Sequence, residues 1–372
     1  METDFRFSGE ITSSVATVTQ TMELILSDDQ DSKIRAAKEI RRLTRTSPKY
    51  RCQFSDAGAI EPLVSMLSSQ SVDCKEAALL ALLNLAVKDE RNKSKIIDAG
   101  ALELLIDFLK SQSPNLREYA TAALLTLSAS PDKKTIVSAS GAIPLLVEML
   151  RKGCRQAKVD ALLALYNLST CPENLTTILS SQAMEPLINL LKICKKTSRT
   201  AEKCSALVES LMGFEEGRRT ITELEGGVLT LVEVLEDGSI QAREHALGAL
   251  LTMCESDRCK YRELILKEGA IPGLLELTVQ GSPKSQAKAH RLLNLLRDAP
   301  SERVEREGAN DLENIVSNIV SQMDMEERCD KARKILAEMV QLSMEQSLRH
   351  MQQRALVCTP KELPRFSEVH LK

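Results

Sequence analysis

An all-α solenoid is the fold this sequence predicts, on two observations: a phrase repeated six times at a period in the forties, and a composition rich in Leu and Ala at helical spacing. The phrase is Asp56-Ala57-Gly58-Ala59-Ile60-Glu61-Pro62-Leu63. It returns as Asp98-Ala99-Gly100-Ala101-Leu102-Glu103-Leu104-Leu105 and as Ser140-Gly141-Ala142-Ile143-Pro144-Leu145-Leu146. Looser copies are Gln182-Ala183-Met184-Glu185-Pro186-Leu187 and Gly226-Gly227-Val228-Leu229, and a clear one stands at Glu268-Gly269-Ala270-Ile271-Pro272. The steps from Gly58 through Gly100, Gly141, Gln182 and Gly226 to Gly269 are 42, 41, 41, 44 and 43 residues. A period of this length describes stacked supersecondary units, each too small to cover its own apolar surface. Aromatic residues make up 3% of the 372 and Trp is absent, which favours close-packed helices over a β-rich fold.

The elements follow in order. Residues 1–13 are polar and read as an unstructured N-terminus, and the repeats occupy 14–299. Residues 93–134 serve as a type unit. A short helix at Lys93–Ala99 stops at Gly100, since glycine suits the left-handed conformation that closes a helix. A second helix, Ala101 to Leu109, carries Leu102, Leu105, Ile106 and Leu109 on one face. After a turn at Ser111–Pro114, a third helix runs from about Asn115 to Ser128. In sister units Pro62, Pro144, Pro186 and Pro272 fall in the first turn of the second helix, where an N–H has no intrahelical partner to lose. Each third helix ends on an apolar anchor: Leu43, Leu85, Leu127, Leu168, Leu211, Met253 or Leu295. Around Leu85 the helical angles place Ala78, Leu79, Leu82, Leu83 and Ala86 on a buried arc.

Residues 300–372 break the period. Leu312, Ile315, Val316, Ile319, Val320 and Met323 share one helical face, and a second run uses Ala332, Ile335, Leu336, Met339 and Val340. A helical C-terminal extension over 300–358 is expected, either capping the last repeat or making a second contact. Residues 359–372, with Pro360 and Pro364, read as a loose tail.

A short helix, a glycine break, two longer helices and a period near 42 resemble the armadillo repeat. The strings Ala81-Leu82-Leu83-Asn84-Leu85 and Ala164-Leu165-Tyr166-Asn167-Leu168 are similar to that family's third-helix signature, and the wording is closest to the armadillo region of plant U-box ubiquitin ligases. The resemblance covers about 14–299. It implies a right-handed superhelix of about seven repeats, with a concave groove lined by the third helices and a polar ladder one residue before each anchor. Here that ladder reads Arg42, Asn84, Thr126, Asn167, Ser210, Thr252 and Asn294. An Asn amide offers both a donor and an acceptor to an extended backbone, or simply faces water; a hydroxyl is shorter, holds a backbone less well and is expected to face water. Eight residues earlier stands a second column, Glu76, Glu118, Val159, Glu202 and Glu244, about 80° around the helix. Acids in a first helical turn complement the macrodipole, or they form an acidic wall for a basic ligand. The first unit departs from the rest: Lys33, Arg35, Lys38, Arg41, Arg42 and Arg45 crowd its third helix. Lys38 and Arg42 take concave positions, as a solvated end face or as the positive end of a charge gradient.

Several classes are excluded at this stage. The net charge of −3 gives no basic field for nucleic acid. The ten cysteines stand singly with four histidines in the chain, so no metal site, no cofactor and a reducing compartment are expected. No phosphate-binding loop, nucleophile elbow or His-Glu-x-x-His motif appears, and His245 and His290, read as packing or polar surface residues, show no carboxylate–nucleophile partnership in the sequence. Importin-α-type receptors carry a tryptophan four residues before the ladder; the equivalents here, among them Leu80, Ala122 and Leu163, supply no such stacking slot. No apolar run reaches membrane length, and Glu2 excludes N-myristoylation and counts against a resemblance to vacuole-anchored armadillo proteins. The expectation is a cytoplasmic or nuclear, non-enzymatic adaptor or regulator that holds a partner segment, extended or helical, in its groove, in ubiquitin or signalling pathways. The alternative is the substrate-recognition component of a ubiquitin ligase whose catalytic module lies on another chain, because only about 13 residues precede the array and a U-box needs more.

Overall fold

The computed structural model describes residues 2–297, with side chains from Ser14. The expected helical extension at 300–358 and the tail at 359–372 lie outside the described residues. Among the described residues there are twenty α-helices, one 3-10 turn at Pro131–Lys133 and no strand. The chain divides into two compact bodies, Met1–Thr252 and Met253–Lys372.

In the first body, unit one is a pair: α1 (Glu2–Leu26) and α2 (Gln30–Thr44). The backbone of residues 2–13 is helical, the first half of α1, where the polar sequence suggested no structure. Unit two is α3 (Pro48–Asp56), α4 (Ile60–Leu67) and α5 (Val72–Ala86). Unit three is α6 (Glu90–Asp98), α7 (Ala101–Leu109) and α8 (Pro114–Ser128). Unit four is α9 (Lys134–Ala139), α10 (Ala142–Lys152) and α11 (Arg155–Ser169). Unit five is α12 (Glu173–Ser180), α13 (Met184–Ile193) and α14 (Arg199–Met212). Unit six is α15 (Glu215–Glu223), α16 (Gly227–Asp237) and α17 (Ile240–Ser256), whose last turn belongs to the second body. In the second body α18 (Arg258–Lys267), α19 (Ile271–Gln280) and α20 (Pro283–Leu296) form unit seven.

The repeated phrase works as a joint. Gly58, Gly100, Gly141, Gly226 and Gly269 take φ between +67° and +83°, the left-handed region that lets the chain turn from first to second helix. A Cβ at Gly100 would meet nothing within 4 Å, so backbone conformation and not space requires the glycine. Gln182 holds the same place at φ +59° with a side chain attached. The acids of the phrase tie neighbouring units: Asp56 forms an ion pair with Arg91 at 3.1 Å, and Asp98 accepts from Lys133 at 3.3 Å.

Third helices start on polar caps. Asp29, Ser71, Ser113 and Ser198 each accept from the backbone N–H three residues on. They end on the anchors. Leu85, Leu127, Leu168, Leu211 and Met253 are fully buried. In the terminal units the anchor slips: Leu43 and Leu295 are half-buried, and Thr44 and Leu296 beside them take the buried place. Leu83 is also half-buried and not part of the covered arc, because it faces the inner wall described below. Two first-helix amides close the end of the preceding third helix. Asn92 Nδ2 donates to the Leu85 carbonyl at 3.0 Å, and Asn174 Nδ2 to the Leu168 carbonyl at 2.9 Å. These are carbonyls of the last turn, which have no partner inside their own helix.

Within the first body the third helices pack on one another more extensively than the second helices do. A row whose members approach more closely lies on the inner side of a curved stack, so α2, α5, α8, α11 and α14 form an inner wall. In the second body, Arg258 Nε donates to the Leu295 carbonyl at 2.6 Å and Arg262 Nε to the Leu296 carbonyl at 2.8 Å, tying α18 to the end of α20.

Candidate functional site: the inner wall of the third helices

The ladder sorts into three kinds of residue. Asn84 Nδ2 donates to the Arg41 carbonyl at 2.8 Å, and Asn167 Nδ2 donates to the Leu125 carbonyl at 3.5 Å and to Ser128 Oγ at 3.3 Å. Arg41 and Leu125 both stand two residues before an anchor, so the two amides are held by the same bond to the preceding third helix. Each Oδ1 has no hydrogen bond among the described residues. The hydroxyls behave differently. Thr126, Ser210 and Thr252 donate to the carbonyls of Ala122, Ala206 and Gly248 in their own helices, at 2.9, 3.1 and 2.9 Å. A hydroxyl has one proton, and here the helix takes it. Arg42 forms a bidentate pair with Glu39 at 2.8 and 2.6 Å. That pair holds the Glu39 carboxyl below, and the Arg42 guanidinium above, their ordinary ranges. Lys38 is exposed and makes no ion pair among the described residues. Asn294 is exposed on α20, in the second body.

The glutamate column is half-buried and works partly as scaffold. Glu202 accepts from Ser239 Oγ at 2.7 Å, and Glu76 from Asn115 Nδ2 at 3.5 Å, each reaching the start of the next third helix. Glu244 is half-buried on α17. Glu118 lies near Asp160, whose carboxyl is pushed up first by burial and then by the Glu118 charge, against a lowering bond from Gln156.

Between the two amides the wall is apolar. Leu80, Leu83, Ala122, Leu125 and Leu163 are all half-buried there. Beyond Asn167 it changes character, through pairs the sequence reading did not anticipate. Lys203 Nζ sits 4.1 Å from the Tyr166 ring centroid, and His245 Nδ1 lies 2.7 Å from Glu209 Oε2. His245 therefore has the carboxylate partner that the sequence did not reveal. Both contacts join the residue two before an anchor to the residue eight before the next anchor. That offset, recurring at one repeat length, is the signal that would have found them. The aromatic face and the acid beyond Asn167 are thus occupied from within the chain.

The described residues hold no group of three or more His, Cys, Asp and Glu side chains able to bind a metal. Clefts of about 410, 410 and 350 Å³ open where second-to-third-helix turns of successive units meet, along the edge of the stack. None brings a nucleophile and a base into hydrogen-bond reach among the described residues.

Helical triads with glycine joints and an amide-bearing inner wall define an armadillo-repeat solenoid, an all-α interaction scaffold. The chain belongs to the family described as the plant U-box protein ARM repeat region, which it matches over residues 17–306. It is 32% identical over 101 residues, 27% of its length, to "U-box domain-containing protein 45" of Arabidopsis thaliana. It is also 32% identical over 92 residues, 24% of its length, to "U-box domain-containing protein 1" of Medicago truncatula. These alignments span 13% of each relative. An engineered protein of known crystal structure superposes with a TM-score of 0.64 at 23% identity, over 77% of this chain and 69% of that one, which bears on the fold alone. Among the described residues no helix is long and apolar enough to cross a membrane.

Proposed function

We propose that the inner wall of units two to four holds an extended segment of another protein, and that the chain works as a non-catalytic adaptor or regulator. The observation that carries this reading is the matched pair of amides. Asn84 and Asn167 are oriented by the same scaffold bond, and each keeps its acceptor oxygen free for a ligand backbone. Leu80, Leu83, Ala122 and Leu125 between them fit apolar side chains of that segment. Arg42 is committed to Glu39, so Lys38 is the cation that meets an acidic residue at one end of the ligand. The other ladder and column residues, Thr126, Ser210, Thr252, Glu76, Glu118, Glu202 and Glu244, shape the wall and do not grip the ligand.

A random peptide library panned on the purified chain tests this. The selected peptides are rich in apolar residues, and the Asn84→Ala/Asn167→Ala double variant binds them at least about tenfold more weakly, as loss of two hydrogen-bonding groups at roughly 1 kcal/mol each requires. Thr126→Ala leaves binding unchanged. Equal affinity in the double variant, with an unchanged melting temperature, removes the inner wall as the site.

Membership of a family defined on U-box proteins favours a second reading: recognition of substrates for ubiquitin transfer, in the cytoplasm or nucleus, with the catalytic module on another chain. Purified chain incubated with ubiquitin, activating enzyme and conjugating enzymes forms no ubiquitin conjugates on its own under this reading. Autoubiquitination would overturn it.

A further inference from the structure

Two columns of the repeat register single out the end of unit seven. Six residues after the joint, Val64, Ile106, Val147, Ile188 and Val232 are each at most 8% exposed, whereas the equivalent Leu275 on α19 is 39% exposed. Ten residues after the joint the earlier units carry Ser68, Lys110, Arg151, Lys192 and Glu236, all at home in water. Unit seven carries Val279 there, 77% exposed. A residue type that is polar in five units and apolar only in the last marks a surface meant to be covered. The internal units bury the position equivalent to Leu275 and leave the position equivalent to Val279 to polar side chains.

We infer that residues 312–323 dock on this end face of the same chain, as an intramolecular cap. Beyond α20 and Arg297 the sequence continues for 75 residues, numbered 298–372. Fourteen residues, 298–311, separate Arg297 from Leu312, the first position of the apolar stripe, a span of up to about 50 Å when extended, ample to return across one helix layer. The stripe Leu312, Ile315, Val316, Ile319, Val320 and Met323 offers β-branched and aliphatic side chains at i, i+3, i+4 and i+7 spacing, the pattern that packs on Leu275 and Val279. The proposal is independent of what the inner wall binds.

Hydrogen exchange of the full-length chain tests it. Ile315→Asp/Ile319→Asp puts charge into the stripe without touching the repeats, and Asn314→Asp/Asn318→Asp puts the same charge on the opposite helical face. The first pair speeds exchange of amides in α19 and α20 by about tenfold or more, as loss of a covering layer demands, and the second pair leaves it unchanged. Val279→Asp reproduces the effect of the first pair from the other side of the contact. Unchanged α19 and α20 exchange in Ile315→Asp/Ile319→Asp overturns the cap. So does a wild-type chain that is dimeric by light scattering and becomes monomeric in that variant, because the stripe would then cover a second copy. Peptide binding at Asn84 and Asn167 is the same in all three variants, which separates failure of the cap from failure of the groove.

Discussion

Single residues in this molecule are decided by what their neighbours leave them. Ser205 on α14 is fully buried and its Oγ has no hydrogen-bond partner among the described residues. Desolvating a hydroxyl without a partner costs about 1–3 kcal/mol. Ser205→Ala therefore keeps or raises stability, by up to about 1 kcal/mol, measured by urea unfolding; a loss of that size would mean the hydroxyl is satisfied. Asp160 gives a pH dependence. Burial and Glu118 raise its carboxyl pKa in the folded state, so folding favours the protonated form. Its contribution is most favourable below the ordinary carboxylate range and is lost as pH rises through the raised value. At pH 7 the group opposes folding, and Asp160→Asn melts higher than wild type there. The gap closes at a pH below the carboxylate range, where both side chains are neutral; a gap independent of pH would remove the ionised carboxylate as its cause. The contrast between Asn84 and Thr126 belongs to this scale as well. Both stand one residue before an anchor, and only bond lengths in the folded chain tell the amide that reaches across to the preceding third helix from the hydroxyl that turns back on its own.

At the scale of the element, each third helix is defined at both ends by polar atoms and along its length by the anchor pattern. The start is legible in the sequence as Ser, Ser, Ser or Asp before the helix. The end is not, because the groups that satisfy it come from the following first helix. Asn92 is 1% exposed and Asn174 is 8% exposed, and each donates to the carbonyl of an anchor leucine. Replacing either with Ala orphans a buried carbonyl and costs about 1–3 kcal/mol, read as a shift of the urea midpoint. Asn84→Ala costs less, within about 1 kcal/mol, because that amide sits on the open wall where water replaces it. If Asn84→Ala were the more destabilising of the two, the inner-wall amides would be scaffold first, and the case for ligand binding would weaken. Neither Asn92 nor Asn174 stands out in the sequence, since an asparagine in the first turn of a short helix has many ordinary reasons to be there.

At the scale of the whole molecule, stability in a repeat array is close to a sum of unit and nearest-neighbour contributions. Asn92 in unit three and Asn174 in unit five share no partner, so the double Ala variant loses the sum of the single losses to within about 0.5 kcal/mol. A larger coupling would mean that units three to five unfold as one block. The sequence by itself determined the number of repeats, the three-helix unit, the glycine joints and the alignment of one unit on the next, and with them membership of the armadillo-type class. These follow from local conformation and from periodic burial, both written into residue type and spacing: glycine at positive φ, proline at a helix start, leucine every three or four residues. Only the tertiary structure decided which ladder positions are free to meet a ligand. Asn84 and Asn167 keep an acceptor oxygen, Thr126, Ser210 and Thr252 spend their protons, Arg42 is held by Glu39, and Lys203 and His245 find Tyr166 and Glu209 one repeat back. The physical reason is that a hydrogen bond depends on distances of a few tenths of an ångström between helices some forty residues apart; spacing can nominate a pair, but it does not set that distance.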